Sequence, residues 1–208
     1  MGEGTTFQVA GFYISICSEI GRVVSQRHPA YRAFVYPQYE QADRMIIRLC
    51  LDRKPVPRVD KWQVMFETGE SWFMFRDGTK RYVIFHPPGD AEPRWMAGLS
   101  ARAERVTVEC GDALVSGQGV QTVVSNPVSY PLDQILMMYY LATRRGALVH
   151  AAGGSVGGKG LIFPGVSGAG KSTLTRQILA QQLRDIEMLS DDRMIVRKID
   201  GNFKAYGT

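Results

Sequence analysis

The sequence predicts an α+β protein in which a β-rich N-terminal region precedes an α/β core. Three observations support this fold class. Residues 7–16 alternate and are rich in aromatic and β-branched types, as strands are, and residues 31–36 and 44–51 follow as further strand-like segments between turn-prone stretches. From Pro131 the apolar period changes from two residues to about 3.6, which indicates a helix. A strand, a glycine-rich loop, a second helix and another strand then follow, which is the order of an α/β unit.

The most regular strand signal lies in the middle of the β-rich region. WQVMFET, SWFMFR and TKRYVIF follow one another, separated by Gly-Glu and by Asp-Gly. Glycine tolerates a positive φ, so Asp77-Gly78 suits a two-residue hairpin, and the three runs predict an antiparallel meander. ERVTVEC and ALVSG, around Gly-Asp, predict a further hairpin. We expect this β-rich domain to cover residues 1–126.

The second predicted domain covers residues 127–208 and begins with a helix at residues 131–146. Leu132, Ile135, Leu136 and Tyr139 share one face of that helix. ALVHAAGG and GLIFP predict two short strands around a GGKG turn. A helix is expected from about residue 170 to 183, with Leu174, Ile178 and Leu179 on its inner side. IEMLS and MIVRKI-DG-NFKAY predict a strand and a closing hairpin.

The composition is that of an ordinary globular protein. Hydrophobic residues make up 45% of the 208 positions and charged residues 22%. No apolar run approaches the roughly eighteen residues of a spanning helix, and the N-terminal stretch lacks the basic start of a signal peptide. The three cysteines are widely spaced and predict reduced thiols rather than a disulfide or zinc site. We therefore expect a cytoplasmic protein without a membrane span.

The excess positive charge lies in the C-terminal part of the chain. The whole chain has a net charge of +5. From residue 131 onward there are ten Lys and Arg against six Asp and Glu, so most of the excess lies in this part. No basic stripe with interleaved aromatic residues is present, so the charge favours a phosphate ligand over a nucleic-acid partner.

Residues 165–172, GVSGAGKS, match the P-loop pattern G-x-x-x-x-G-K-[ST] (the Walker A motif) without a gap. Glycines allow several backbone N–H groups to point at one phosphate, and the helix that follows adds its positive N-terminal end. Lys171 supplies a charge for the β- and γ-phosphates, and the Ser172 hydroxyl can ligate Mg²⁺. The predicted nucleotide-binding residues are Gly165, Ser167, Gly168, Ala169, Gly170, Lys171, Ser172 and Thr173.

Two further features lie close to this loop in the sequence. Asp191 and Asp192 come twenty positions after Lys171, at the end of an apolar run. One carboxylate could help hold Mg²⁺, and the other could accept a proton from an attacking hydroxyl or orient it. His150 ends the apolar run ALVH. It is either structural or a ligand-site residue, because strand ends in α/β sheets line the ligand crevice.

The segments LVHAAGG, GGKGLIFPGVSGAGKSTL and LSDDRMIV, in this order, resemble the HPr kinase/phosphorylase family, which shares its core with phosphoenolpyruvate carboxykinases. The resemblance covers residues 131–208. It implies that Lys171 and Ser172 bind phosphate and metal, that Asp191 is the catalytic base and that Asp192 is the metal-side carboxylate. It also implies a catalytic-site position for His150. The chain departs from the family in having Ala-Ala after this histidine and in a β-rich region unlike the family's regulatory domain.

The function expected from these features is that of a kinase that transfers the γ-phosphate of Mg-ATP to a hydroxyl. The acceptor implied by the resemblance is a serine of a protein or peptide, which need not be HPr itself. Two alternatives stay open: a small-molecule kinase of the sugar type, and a non-catalytic nucleotide-responsive binding module. A homo-oligomer is compatible with either. Because the family continues beyond the position of residue 208, we also expect a truncated core or a partner surface over the exposed sheet edge.

Overall fold

The structure, a computed structural model, describes residues 4–18, 22–24, 29–36, 43–51, 55, 62–69, 71–117, 119, 122–181 and 185–208. The chain forms two compact units, residues 1–136 and 137–208. The domain boundary expected between residues 126 and 127 remains a prediction, because the compactness of the two units does not test where the chain can be cut into separate domains.

The first unit is built mainly from strands. They are β1 (Thr5–Val9), β2 (Phe12–Ser18), β3 (Arg22–Val24), β4 (Arg44–Cys50), β5 (Gln63–Glu67), β6 (Trp72–Asp77), β7 (Lys80–Phe85), β8 (Trp95–Leu99), β9 (Arg105–Cys110), β10 (Val115–Ser116) and β11 (Val123–Ser125). A helical turn, α1 (Pro29–Arg32), and a 3-10 turn, Asp112–Leu114, connect some of them. The helix α2 (Leu132–Ala142) follows β11.

Eight of these strands form one mixed sheet in the order β1-β2-β4-β9-β8-β7-β6-β5. The pairs β2–β4 and β4–β9 are parallel, and all other neighbours are antiparallel. β10, β11 and β3 form a small second sheet. Alternate residues of the central strands are buried, for example Met45, Ile47 and Leu49 on β4. This period of two places one face of each strand in the core.

Besides the C-terminal part of α2, the described residues of the second unit form a five-stranded antiparallel sheet and the helix α3. Its elements are β12 (Gly146–Val156), β13 (Lys159–Pro164), α3 (Lys171–Ala180), β14 (Ile186–Ser190), β15 (Arg193–Ile199) and β16 (Asn202–Gly207). The strand order is β13-β12-β15-β16, and β14 also pairs with β12. The long strand β12 therefore organises the unit, because its first half pairs with β15 and its second half lies between β13 and β14.

The α/β core expected from the sequence is wrong, because the described residues are mostly β, with a large mixed sheet in the first unit and an antiparallel sheet in the second. The reason lies in the turn between β12 and β13. Gly157 and Gly158 both have positive φ and connect the directly paired residues Val156 and Lys159. A two-residue turn can join only antiparallel strands. β12 thus separates β13 from β14, and the parallel pairing of an α/β unit does not form.

Several element predictions for the first unit can be compared with the strands directly. The meander is confirmed as β5, β6 and β7, although its second turn is centred on Gly78 and Thr79 rather than on Asp77 and Gly78. Residues 7–16 form two strands rather than one, since Ala10 and Gly11 adopt positive φ and reverse the chain. The expected hairpin after β9 is wrong because β10 pairs with β11.

The helix predictions are confirmed in outline. Leu132, Ile135 and Leu136 of α2 are buried, as expected, whereas Tyr139 is only half-buried. In α3 the most deeply buried residue is Thr175, while Leu179 is 59% exposed and does not face the core as predicted. Within the described residues, no helix combines the length and the apolarity that a bilayer-spanning helix requires.

Candidate phosphate-binding site

The site is organised around one point of β12, where two segments expected to carry function meet. The N–H of Gly165, at the start of the glycine loop, points to the carbonyl oxygen of His150 at 3.4 Å. Ala151 follows His150 in β12, and its N–H donates to the carbonyl oxygen of Asp192 at 3.0 Å. The loop and the aspartate pair therefore adjoin consecutive residues of a single strand, although they are far apart in the sequence.

The glycine loop runs from the end of β13 to the start of α3. Gly168 and Gly170 have φ values of +82° and +89°, which residues with a Cβ rarely adopt. A Cβ placed at either position would meet no atom within 4 Å. Glycine is therefore favoured here by the backbone conformation and not by close contact with a neighbouring atom. Alternation of left-handed and right-handed residues turns successive N–H groups toward one side, which makes a concave anion site.

Lys171, the first residue of α3, folds back over this loop. Its ammonium nitrogen donates to the carbonyl oxygens of Gly165 at 2.8 Å and of Val166 at 3.0 Å. A lysine ammonium has three N–H donors, so one donor remains for a phosphate oxygen. The two bonds hold the charge against the loop whose N–H groups would bind the same anion.

The N-terminus of α3 carries no negative charge of its own. Gly170 is the N-cap, no side chain caps the helix and its first turn has no acidic residue. Ser172 and Thr173 are exposed there. The Arg176 guanidinium donates to the Ser172 carbonyl oxygen at 3.3 Å and to the Thr173 hydroxyl at 3.4 Å. The helix dipole and two cations therefore favour an anion at this end.

The aspartate pair lies where β14 passes into β15. The pairing of β14 with β12 contains a bulge, since Gly153 faces Ser190 while Gly154 faces Met188. The Ser190 hydroxyl accepts a hydrogen bond from the N–H of Arg193 at 3.3 Å and thereby closes the turn around Asp191 and Asp192. Bulges redirect side chains and are frequent beside active sites.

The two carboxylates have different surroundings. Asp192 lies 3.3 Å from the His150 ring through Oδ1 and 2.6 Å from the Arg193 guanidinium through Oδ2. Asp191 is exposed and, among the described residues, no ion pair or side-chain hydrogen bond holds its carboxylate. The arrangement offers one carboxylate held between the Arg193 guanidinium and the His150 ring, and one that is open to a ligand.

The structure brings some of the predicted site residues together and leaves others apart. His150, Gly165 and Asp192 meet around β12, and Lys171 reaches the loop at Gly165. Within the described ranges, no hydrogen bond joins Ser167, Ser172 or Thr173 to either aspartate. Nor does any group of three His, Cys, Asp or Glu side chains in this part of the chain lie close enough to hold a metal ion.

Three contact residues were not anticipated from the sequence: Ser190, Arg193 and Arg176. A signal was present for the first two, since they directly flank the aspartate pair in SDDR. Their contacts arise from the β14–β15 turn, which the α/β interpretation did not contain. Arg176 is one helical turn beyond Ser172, a spacing that places the two on the same helix face.

Comparison with protein-family models, curated proteins and solved structures finds no match for this chain. The resemblance to HPr kinase/phosphorylase therefore rests on the three sequence segments alone.

Proposed function

We propose that this chain binds Mg-ATP and transfers the γ-phosphate to a hydroxyl, as an HPr kinase/phosphorylase-related enzyme would. The observation that carries the proposal is the meeting of the glycine loop and the aspartate pair at His150 and Ala151 of β12. Phosphoryl transfer requires an anion cradle and carboxylates at one place, because its catalysis consists mainly of positioning and charge stabilisation.

Phosphate binding falls to the loop from Gly165 to Thr173. Its N–H groups and the N-terminus of α3 would hold the β- and γ-phosphates, and Lys171 would direct its third N–H donor to them. Arg176 adds a cation beside the same helical turn.

Mg²⁺ is compatible with the residues present. The Ser172 hydroxyl and an aspartate carboxylate are hard oxygen donors, and Mg²⁺ commonly takes only one or two protein ligands beside substrate phosphates. A cluster of three acidic or histidine ligands is therefore not required. We assign Ser172 and Asp192 to the metal, which would neutralise charge on the phosphates when bound.

Proton transfer falls to Asp191. The acceptor hydroxyl oxygen forms a bond to the γ-phosphorus, the bond between that phosphorus and the bridging oxygen breaks, and ADP leaves with the electron pair. The hydroxyl proton passes to the Asp191 carboxylate, whose exposure leaves it accessible to an acceptor. His150 is held by β12 beside Asp192, and we assign it to the same catalytic site.

The acceptor we propose is a serine of a protein or peptide, and the location is the cytoplasm, where ATP is available and thiols remain reduced. We also propose that the chain can form a homo-oligomer and that it does not bind nucleic acid.

Nucleotide binding is tested by thermal unfolding of the wild type, Lys171→Ala and Lys159→Ala with and without Mg-ATP. At a hundredfold excess over Kd, a ligand adds about 2.7 kcal/mol, or roughly 5–10 °C in Tm for a chain of this size. We expect this shift in the wild type and in Lys159→Ala, which removes an exposed lysine at the start of β13. Lys171→Ala should lose most of it. Equal shifts in all three proteins, or none in the wild type, would contradict the proposal.

Transfer is tested with γ-labelled ATP and a cell lysate as the source of acceptor. Asp191→Asn should abolish labelling, while Asp200→Asn, the same change at a hairpin tip whose positive φ asparagine tolerates, should not. Persistent labelling by Asp191→Asn would disprove its role as base. Mg-ATP binding without any labelled product, by contrast, would favour the nucleotide-responsive binding module.

A further inference from the structure

The Asp192 carboxylate is the one acidic group of the site whose two oxygens are both engaged. His150 Nε2 lies 3.3 Å from Oδ1, and a nitrogen of the Arg193 guanidinium lies 2.6 Å from Oδ2. The side chain of Asp192 is 52% exposed, so the surrounding protein does not otherwise confine its rotamer.

The strand register places His150 and Arg193 side by side, and Asp192 joins them as the residue directly before Arg193. His150 and Arg193 are directly opposite each other in the β12–β15 ladder, so their side chains project from the same face. Asp192 precedes Arg193 by one residue, and its backbone is held by the N–H of Ala151. The Ser190 hydroxyl fixes the N–H of Arg193. With the backbone held at both residues, the orientation of the Asp192 carboxylate depends on its contacts with the Arg193 guanidinium and the His150 ring.

Stability alone does not account for an arginine at this position. An ion pair whose side chains are 40% and 52% exposed contributes little to the free energy of unfolding, because solvent screens it. A guanidinium nevertheless keeps its charge at any working pH and holds a carboxylate in a defined direction. The contact is thus better suited to orienting Asp192 than to stabilising the fold.

We propose that Arg193 is a positioning residue that orients Asp192 toward His150 and toward the bound nucleotide, an inference that rests on the proposed function. Among the residues that the structure describes, no hydrogen bond or ion pair joins the Arg193 side chain to the glycine loop or to Lys171, so we expect Arg193 to act on the transfer step and not on phosphate binding. Loss of the guanidinium frees Oδ2 and allows the half-exposed carboxylate to rotate away from its productive direction.

The test measures phosphate release from Mg-[γ-32P]ATP to water, which needs no identified acceptor. The oxygen of water then forms the new bond to the γ-phosphorus, ADP leaves, and the proton passes through Asp191 to solvent. Arg193→Met should lower kcat at least about tenfold, with the KM for Mg-ATP within about twofold, as expected when an interaction specific to the transition state is lost. Arg193→Lys should recover part of kcat, because it restores the charge but not the planar guanidinium.

Lys204→Met is the matched control, since it removes one exposed cation from the neighbouring strand β16 and should leave kcat and KM unchanged. The Tm of Arg193→Met should lie within about 2 °C of the wild type, because the pair is exposed.

Each contrary outcome has a separate meaning. A wild-type rate in Arg193→Met would overturn the inference and leave the proposed function standing. A raised KM at unchanged kcat would overturn it too, by showing that Arg193 binds the nucleotide itself. A large fall in Tm without recovery by Arg193→Lys would assign a structural role instead. Absence of phosphate release from the wild type, despite Mg-ATP binding, would contradict the proposed transfer and the inference with it.

Discussion

At the residue scale, Gly168 and Gly170 connect the glycine-loop motif with a specific backbone conformation. Both occupy the left-handed region, and the space beside each is open. An alanine there would clash with nothing but would strain the backbone by about 1–2 kcal/mol. Glycine is thus required at these two positions by the left-handed backbone conformation. The same conformation sets the direction in which the N–H groups of the loop point.

Gly170→Ala should therefore lower both the Tm and the stabilisation by Mg-ATP. Gly201→Ala is the control, since Gly201 has φ +81° and equally open space at the tip of the β15–β16 hairpin. We expect similar losses of several degrees in Tm for the two variants without ligand, by the cost of a left-handed alanine. Only Gly170→Ala should reduce the shift that Mg-ATP produces in thermal unfolding. If Mg-ATP raised the Tm of both variants equally, nucleotide binding would not depend on the backbone conformation at Gly170.

Cys110 allows a prediction about thiol reactivity. Burial, and to a lesser extent the neighbouring Cys50, raise the pKa of the Cys110 thiol to about 12. Because the thiolate is the reactive form, maleimide at pH 7.5 should label Cys110 far more slowly in the native protein than in urea. Cys17 and Cys50 are half-buried and should react first. Peptide mass spectrometry after brief labelling measures the three sites, and early modification of Cys110 would contradict its burial.

The same raised pKa predicts a pH dependence of stability. The pKa of an unfolded cysteine is about 8.5, so the contribution of the buried thiol is fully present below that pH. It is lost as the pH rises toward the folded value of about 12. The difference in urea unfolding free energy between the wild type and Cys110→Ala should therefore shrink between pH 8.5 and 11. A constant difference over this range would show that the thiol does not titrate with unfolding.

At the scale of elements, β12 can pair with strands on both sides because Gly153 and Gly154 have no side chains that would block the neighbouring strands. A Cβ on Gly153 would lie 2.8 Å from the methyl carbon of Met194 and 2.9 Å from the carbonyl oxygen of Leu161. A Cβ on Gly154 would lie 2.8 Å from the carbonyl oxygen of Glu187. These contacts are shorter than packed atoms allow, so β13 and the bulged β14 can both pair with β12 only where the Cβ atoms are missing.

Gly153→Ala should consequently destabilise the protein by about 1–3 kcal/mol through overpacking. Gly160→Ala in β13 is a matched control, since its Cβ would meet only the Cβ of Ala205 at 3.3 Å. Urea unfolding of both variants measures the difference, and an equal loss would show that β12 adapts without strain. Because Gly153 faces Ser190, Gly153→Ala should also weaken Mg-ATP binding more than the control does.

Element prediction succeeded where the chain carries strong local patterns and failed at short turns. The meander and the buried face of α2 followed from periodicity. The reversal at Ala10-Gly11 was missed, because alternation continues through a two-residue turn. The sequence predicts a turn at Gly157-Gly158, and the α/β prediction fails because a turn this short joins antiparallel strands.

At the scale of the whole molecule, all residues assigned to the nucleotide lie in the unit formed by residues 137–208. Mg-ATP should therefore slow hydrogen exchange at the glycine loop, the first turn of α3 and the β14–β15 turn. The amides of the eight-stranded sheet should be unaffected. Exchange measured by mass spectrometry in the wild type and in Lys171→Ala tests this, and protection in β5–β8 of the wild type would place the ligand elsewhere.

The sequence by itself predicts phosphate binding by the glycine loop, because the motif is local: the glycines, the lysine and the helix start are consecutive. It also identified His150 and the aspartate pair as candidates. The antiparallel pairing of β12 with β13, β14 and β15, which brings these segments to one point, was decided only by the tertiary structure. The same holds for the contacts of Arg193 with Asp192 and of Lys171 with the loop carbonyls. Such contacts depend on register and on a bulge, which arise from packing between distant segments and leave no periodic signal in the sequence.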